Sequence, residues 1–212
     1  MDEIAEEIER FNGLIDEETA KLLVMEKKGL LKKKKIVEIK EGTASLFAKI
    51  ESIGKKRKNF VNVVIGDETG HCIMKLWNHQ MKNLIFLKEG DVIRIANAWA
   101  KKGIYGLEIN VGKYGLIEKV DKKIETKLEF GKKDGIFNLS GKLIKKYPTE
   151  VYFENEEKFI RKILVDDKEI FLFDEKVKDV QNVMEGQKIA LLWLYSKNGR
   201  IYATDFSKIT FL

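Results

Sequence analysis

From residue 43 onward the apolar positions recur at every second residue. Leu46, Ala48 and Ile50 alternate with Phe47, Lys49 and Glu51, and Val61, Val63 and Ile65 with Phe60, Asn62 and Val64. Cys72, Met74 and Leu76 alternate with Ile73, Lys75 and Trp77, and residues 92–99 and 107–111 keep the same rhythm. A period of two puts alternate side chains on opposite faces of a strand, so five strands are predicted here. Gly66-Asp67-Glu68-Thr69-Gly70 reads as the tight turn of a hairpin between the second and third. Ahead of them the period is helical. Ile4, Ile8 and Phe11 are followed by Asn12-Gly13, and Asp16 stands as an N-cap before Ala20, Leu23 and Val24. The lysine run at 32–35 reads as a solvated tether.

One gap between strands is longer. Residues 79–90, with Met81, Leu84, Ile85 and Leu87, predict a short helix between the third and fourth strands. Five strands with a helix at that place are the outline of an OB-fold. The outline then repeats: residues 136–147, 159–165 and 169–173 read as strands, 175–183 as the helical break, and 189–195 and 200–209 as the last two strands. Met184-Glu185-Gly186-Gln187 echoes Lys88-Glu89-Gly90-Asp91. The expected architecture is mainly β: two tandem OB-fold five-stranded barrels preceded by a short N-terminal helical segment. The expected boundaries are 1–35 for the helical segment and basic linker, 36–122 for the first barrel and 132–212 for the second.

Charge changes this picture by segment. The net charge of +6 hides −5 over residues 1–31, +9 over 32–130 and +2 over 131–212. The basic third coincides with the first barrel, and such asymmetry points to a polyanion. OB barrels take ligands between the loop joining strands one and two and the loop joining strands four and five. Lys55, Lys56, Arg57 and Lys58 fall in the first of these loops, and Lys101 and Lys102 in the second. These six bases, with Lys75 on the third strand, are the candidate phosphate contacts. Trp77 lies out of phase with Cys72, Met74 and Leu76, so it faces outward with Lys75, Ile73 and His71. Trp99 shares the phase of Ile93 and Ile95, and it faces outward only if a bulge near Asn97 shifts the register. Trp77 and Trp99, with Tyr105 and Phe60 as supports, are the candidate surfaces on which bases stack. The acidic segment is expected near the basic groove, where it would compete with a strand.

Val64-Ile65-Gly66-Asp67-Glu68-Thr69-Gly70, then Leu76-Trp77, then Leu87-Lys88-Glu89-Gly90-Asp91-Val92-Ile93 and Asn97-Ala98-Trp99, resemble archaeal single-stranded DNA-binding proteins of the replication protein A type. The resemblance covers residues 43–118, with a weaker echo at 8–29. It implies that Trp77 and Trp99 stack on DNA bases. The family's third aromatic would fall at Lys102-Gly103, where this chain has none, and the nearest is Tyr105. It also implies work in replication, repair or recombination.

The second barrel departs from that pattern. Its loop over residues 148–158 carries Glu150, Glu154, Glu156 and Glu157, which repel phosphate, so a packing role or contact with replication or repair proteins is expected of it. Little else suggests chemistry. One cysteine, Cys72, and two histidines, His71 and His79, make no metal site, no cofactor is expected, and Lys132-Lys133-Asp134-Gly135 matches a nucleotidyltransferase pattern without room for that domain. Cys72 falls on the core face. The expectation is a non-enzymatic, cytoplasmic protein without membrane association. RNA binding on the same fold and a protein–protein adaptor remain the alternative functions.

Overall fold

The computed structural model describes residues 2–154 and 156–211. It opens with two helices, α1 (Glu3–Arg10) and α2 (Glu17–Lys27). Asp2 and Asp16 cap them, accepting from the backbone N–H of Ile4 at 3.2 Å and of Thr19 at 2.9 Å. A 3-10 turn (Ile36–Glu38) follows, then β1 (Gly42–Ile53), β2 (Phe60–Asp67), β3 (Gly70–Trp77), a 3-10 helix (Asn78–Ile85), β4 (Val92–Gly103), β5 (Gly106–Val111) and β6 (Leu116–Lys119). The strands pair in the order β1-β2-β3-β5-β4-β6, and β1 also pairs with β4. That second pairing closes β1 to β5 into a barrel, with β3 and β5 parallel and β6 added beside β4.

The chain continues with β7 (Phe137–Phe153), β8 (Glu157–Val165), β9 (Lys168–Phe173), α3 (Glu175–Asp179), β10 (Lys188–Lys197), β11 (Arg200–Ala203) and β12 (Lys208–Phe211). Here the order is β11-β9-β8-β7-β10-β12, with β11 also paired to β10. Both halves therefore follow one route, first strand to second to third to fifth to fourth and back to the first, with a sixth strand on the fourth. This route, with a helix between the third and fourth strands, is the OB-fold, present twice. The chain divides into one unit of Met1–Gly103 with Leu107–Lys127 and a second of Ile104–Gly106 with Leu128–Leu212. No described helix is long and apolar enough to cross a membrane.

The inward residues expected from the alternation all lie in the first core: Leu46, Ala48 and Ile50 of β1, Val61, Val63 and Ile65 of β2, and Cys72, Met74 and Leu76 of β3. Burial pushes the Cys72 thiol far up from its ordinary pKa, so the group is a small core hydrophobe. Ile73, expected on the open face, is fully buried, as is its cross-strand partner Val64. The turn end of that face is crowded, for the Thr126 hydroxyl donates to Glu51 at 2.6 Å, and the His71 ring, with the Thr126 methyl beside it, leaves no room for a side chain at position 66.

The repeat is deeper than the sequence echo. In the first barrel the Gly90 N–H donates to the Ile50 carbonyl at 2.8 Å, and the Ile50 N–H to the Asp91 carbonyl at 2.8 Å. Asp91 accepts from the Lys88 N–H at 3.0 Å, and Glu89 from the Ile53 N–H at 3.2 Å. In the second barrel Gly186, Leu143, Gln187, Met184, Glu185 and Lys146 make the same four bonds, at 2.7, 2.8, 2.8 and 2.7 Å. The turn needs φ near +90° at its glycine, and Gly90 and Gly186 stand at +91° and +96°.

Three boundaries differ from expectation. The loop expected at 148–158 is mostly strand, since β7 and β8 run on as a long hairpin. Pro148 is tolerated because it falls within the register shift between Lys146 and Thr149, where the ladder is interrupted. The last expected strand splits into β11 and β12 at a turn closed by the Ser207 N–H on the Thr204 carbonyl, 3.0 Å. The lysine run is no solvated tether. Lys33 is 8% exposed, pairs with Glu26 at 3.0 Å and lies 4.7 Å over the Phe47 ring, while Lys35 pairs with Glu68. Desolvation of Lys33 holds its pKa below the usual ammonium value, against the pull of Glu26.

Candidate nucleic-acid interface

The site is built on the outer faces of β2, β3 and β5 and the second half of β4. Phe60 opens β2 and pairs with Trp77 at the end of β3, their ring centroids 5.3 Å apart. The Trp77 Nε1–H donates to Asn110 Oδ1 on β5 at 3.1 Å. The Asn110 amide in turn donates to the Trp99 carbonyl on β4 at 3.3 Å. One side chain thus ties both candidate tryptophans into a single surface.

Trp99 owes its orientation to the backbone. Ala44 pairs with Ala98 but Leu46 pairs with Ile95, so β4 spends one more residue than β1 across this interval. The extra residue marks a bulge, and Asn97 sits in it at φ +53°. Before the bulge Ile93 and Ile95 point inward; after it Ala98 and Ala100 do, and Trp99 emerges 58% exposed. The bulge is pinned from outside. The Asn97 amide donates to the Thr19 hydroxyl at 2.8 Å, that hydroxyl to the Tyr114 carbonyl at 2.9 Å, and the Asn97 N–H to the Ser45 hydroxyl at 3.3 Å.

Thr19 belongs to α2, which places the acidic segment. Its apolar residues Ile15, Ala20 and Leu23 pack on Ala96 and Leu116, at the first half of β4 and the start of β6. Its acids are matched locally: Glu7 with Arg10 and Lys27, and Glu26 with Lys33 and with Arg94 at 3.7 Å. The segment therefore buttresses the bulge from the β4–β6 side.

The basic residues fall into two groups. Lys55, Lys56, Arg57 and Lys58 are all exposed in the loop joining β1 and β2, and Lys101 and Lys102 are exposed at the end of β4. Arg57 lies 5.8 Å from the Phe60 ring. Lys75 is of another kind. It is 15% exposed, donates to the buried Glu108 at 3.0 Å and sits 5.3 Å from the Phe60 ring and 5.7 Å from that of Trp77. Its charge is already matched by a carboxylate, and its position is that of a spacer beneath the aromatic pair. Gly103 leaves Glu108 its room, because a Cβ there would collide with the carboxylate. Tyr105 is also engaged: it falls in the stretch that groups with the second unit, its ring edge-on to Tyr195 at 5.0 Å and to Phe206 at 5.2 Å.

Asn110 and Glu108 are absent from the sequence expectation. The parallel pairing of β3 with β5 brings them beside Lys75 and Trp77 across more than 30 residues, and no local spacing encodes that. No group of three His, Cys, Asp or Glu side chains suited to a metal ion occurs among the described residues.

No protein-family model and no curated protein matches the chain. Solved structures do. One of a replication protein A heterotrimer bound to single-stranded DNA is matched over 84% of this chain and 51% of its own, at 15% identity and a TM-score of 0.47. The chain thus spans about half the length of that structure's chain. A replication factor A related protein from Methanobacterium thermoautotrophicum is matched over 42% of this chain and 92% of its own, at 26% identity and a TM-score of 0.38. The p202 HIN1 domain in complex with a 12-mer double-stranded DNA is matched over 82% and 98%, at 14% identity and a TM-score of 0.46.

Proposed function

We propose that the chain is a non-enzymatic single-stranded DNA-binding protein of low sequence preference, and that it protects exposed strands in replication, repair and recombination. The observation that carries this reading is Trp99, a large indole held 58% in solvent by a bulge. Such exposure, on a surface shared with a second tryptophan and on the strand whose end carries the exposed Lys101 and Lys102, marks a contact surface. Bases of any identity offer a π-face to Trp77 and Trp99, and the exposed bases at 55–58 and 101–102 meet the phosphates. Phe60 backs Trp77 and Lys75 spaces them.

The test is a titration with a (dT)20 oligonucleotide at low salt, read by tryptophan fluorescence and by anisotropy of a labelled strand. Quenching is expected, with Trp77→Ala and Trp99→Ala each weakening binding roughly tenfold, as loss of one stacked base would. Unchanged affinity in both variants, or tighter binding to the matched duplex, overturns the reading. A parallel titration with (rU)20 decides between DNA and RNA.

A further inference from the structure

The long hairpin of β7 and β8 leaves part of one strand without a neighbour. β7 pairs with β10 only from Phe137 to Lys142, and beyond Lys142 its described ladder runs to β8 alone. The turn before β10 covers the next few residues: the Leu143 N–H donates to the Gln187 carbonyl at 2.8 Å, and the Lys146 N–H to Glu185 at 2.7 Å. From Thr149 to Phe153 no described strand lies along that edge.

The backbone there is aimed outward. The Phe159 carbonyl accepts from the Asp174 N–H at 2.9 Å, and the Phe159 N–H donates to Asp174 Oδ1 at 3.0 Å. Both polar groups of Phe159 thus point away from β7. Residues directly opposite in an antiparallel pair exchange both bonds or neither. Val151 stands opposite Phe159, so its N–H and C=O point away from β8 as well. Thr149 and Phe153 share that phase, with no register shift between them. Three donors and three acceptors therefore line an open edge, which is a template for another strand.

The side chains say what kind of strand. Thr149 and Val151 border a groove of about 320 Å³ that runs over Phe159 to Val177 of α3. Val151 is exposed, and Phe153, in phase with it, is 77% exposed. Glu150, Glu154 and Glu157 are exposed and form no ion pair among the described residues. The lysines nearby are already matched: Lys158 by Glu156 and by Asp174 at 4.0 Å, Lys178 by Glu175 at 3.3 Å, and Lys162, on which Glu150 also acts, by Glu169 at 2.8 Å. From Thr149 to Lys162 the unmatched charges are three carboxylates against one guanidinium, that of Arg161, which is partly buried in the groove. A second copy of the chain would bring the same carboxylates together across this short edge, and like charges on facing strands repel.

We infer that residues 149–153 of β7 dock an extended basic segment of a partner protein, added as a further strand. Its apolar side chains lie over the groove of Val151 and Phe159, and its lysines or arginines meet Glu150, Glu154 and Glu157. The surface belongs to the second unit alone and does not rest on the DNA-binding reading.

The test uses the full chain and a labelled peptide of alternating lysine and valine, read by anisotropy at 50 mM salt. Glu150→Lys with Glu154→Lys is expected to weaken binding about tenfold or more. Val151→Pro removes an N–H that the β7–β8 ladder does not use, and should weaken it about fivefold, with far-UV circular dichroism confirming the fold. A glutamate–valine peptide, and the lysine–valine peptide N-methylated on its backbone, should not bind. The methylated peptide carries the backbone test on the natural chain should Val151→Pro fail to fold. Absence of binding at about 1 mM peptide, indifference to the charge variant, or equal binding of the methylated peptide overturns the docking edge. So does a dimer in sedimentation that Val151→Pro dissolves, which would give the edge to a second copy. Weaker (dT)20 binding in Val151→Pro with peptide binding unchanged would overturn it in favour of nucleic acid.

Discussion

Asn110 holds Trp77 by its indole and Trp99 by its backbone. The Oδ1 accepts from Trp77 Nε1 at 3.1 Å and the Nδ2 donates to the Trp99 carbonyl at 3.3 Å. Two tryptophans 22 residues apart in sequence are thus joined through one side chain on a third strand.

Asn110→Ala removes both bonds and leaves both indoles in place. The Trp77 ring gains rotational freedom that a bound strand must then freeze. Affinity for (dT)20 is expected to fall about threefold to tenfold, less than for Trp77→Ala, with the melting temperature nearly unchanged. Anisotropy titration beside a thermal melt separates these effects, and an equal loss of stability and affinity would argue that Asn110 is purely structural.

The bulge at Asn97 is strained for most residues. Asn tolerates positive φ, whereas a β-branched side chain does not. Asn97→Val is expected to cost about 1–3 kcal/mol in urea unfolding and to shift Trp99 emission to the blue as the strand realigns. Asn97→Gly keeps the backbone and loses only the bond to Thr19, so its emission should stay that of an exposed indole.

The lysines divide into two behaviours. Charge reversal at Lys55, Lys56 or Lys58 should weaken DNA binding and flatten its salt dependence by about one unit of slope per contact, with stability unaffected. Lys75→Ala strands Glu108, which is 4% exposed on its side chain. It should destabilise the barrel by about 3 kcal/mol while leaving the salt slope intact. A set of log affinity against log salt plots, with urea curves for each variant, distinguishes the two.

The turn before β4 is sensitive to acid. The Lys119 ammonium, 2.7 Å from Asp91, and then the Lys88 N–H hold the Asp91 carboxyl below its usual range. A depressed carboxylate contributes stability that is complete above the unfolded value, about 3.9, and is lost as pH falls through the folded one. Asp91→Asn should therefore lower the melting temperature by a few degrees at pH 7, and the gap should close below pH 4. A gap independent of pH would mean that the ion pair with Lys119 contributes nothing.

Much of this molecule can be read from its alternation. The nine inward residues of β1, β2 and β3 are in the core, and the conflict of phase at Trp99 located a bulge that the strand pairing contains. What could not be read is long-range. Asn110 and Glu108 look like ordinary polar positions on a half-exposed strand until β5 is known to lie beside β3. Lys33 looks like any lysine of a run until Glu26 and Phe47 are seen to receive it.

The bulge also recurs, with an opposite outcome. In β10 Trp193 takes the place of Asn97, at φ +56°, its N–H bonded to Asn138 as that of Asn97 is to Ser45, and its ring is buried. Tyr195, two residues on, takes the place of Trp99. Which way a large ring in the fourth strand faces is thus set by its distance from one kinked residue. A single insertion or deletion there would exchange a core aromatic for a surface one with composition otherwise unchanged. Duplicated barrels of this kind can therefore part ways in what they grip through a slip in spacing, without having to acquire a new side chain.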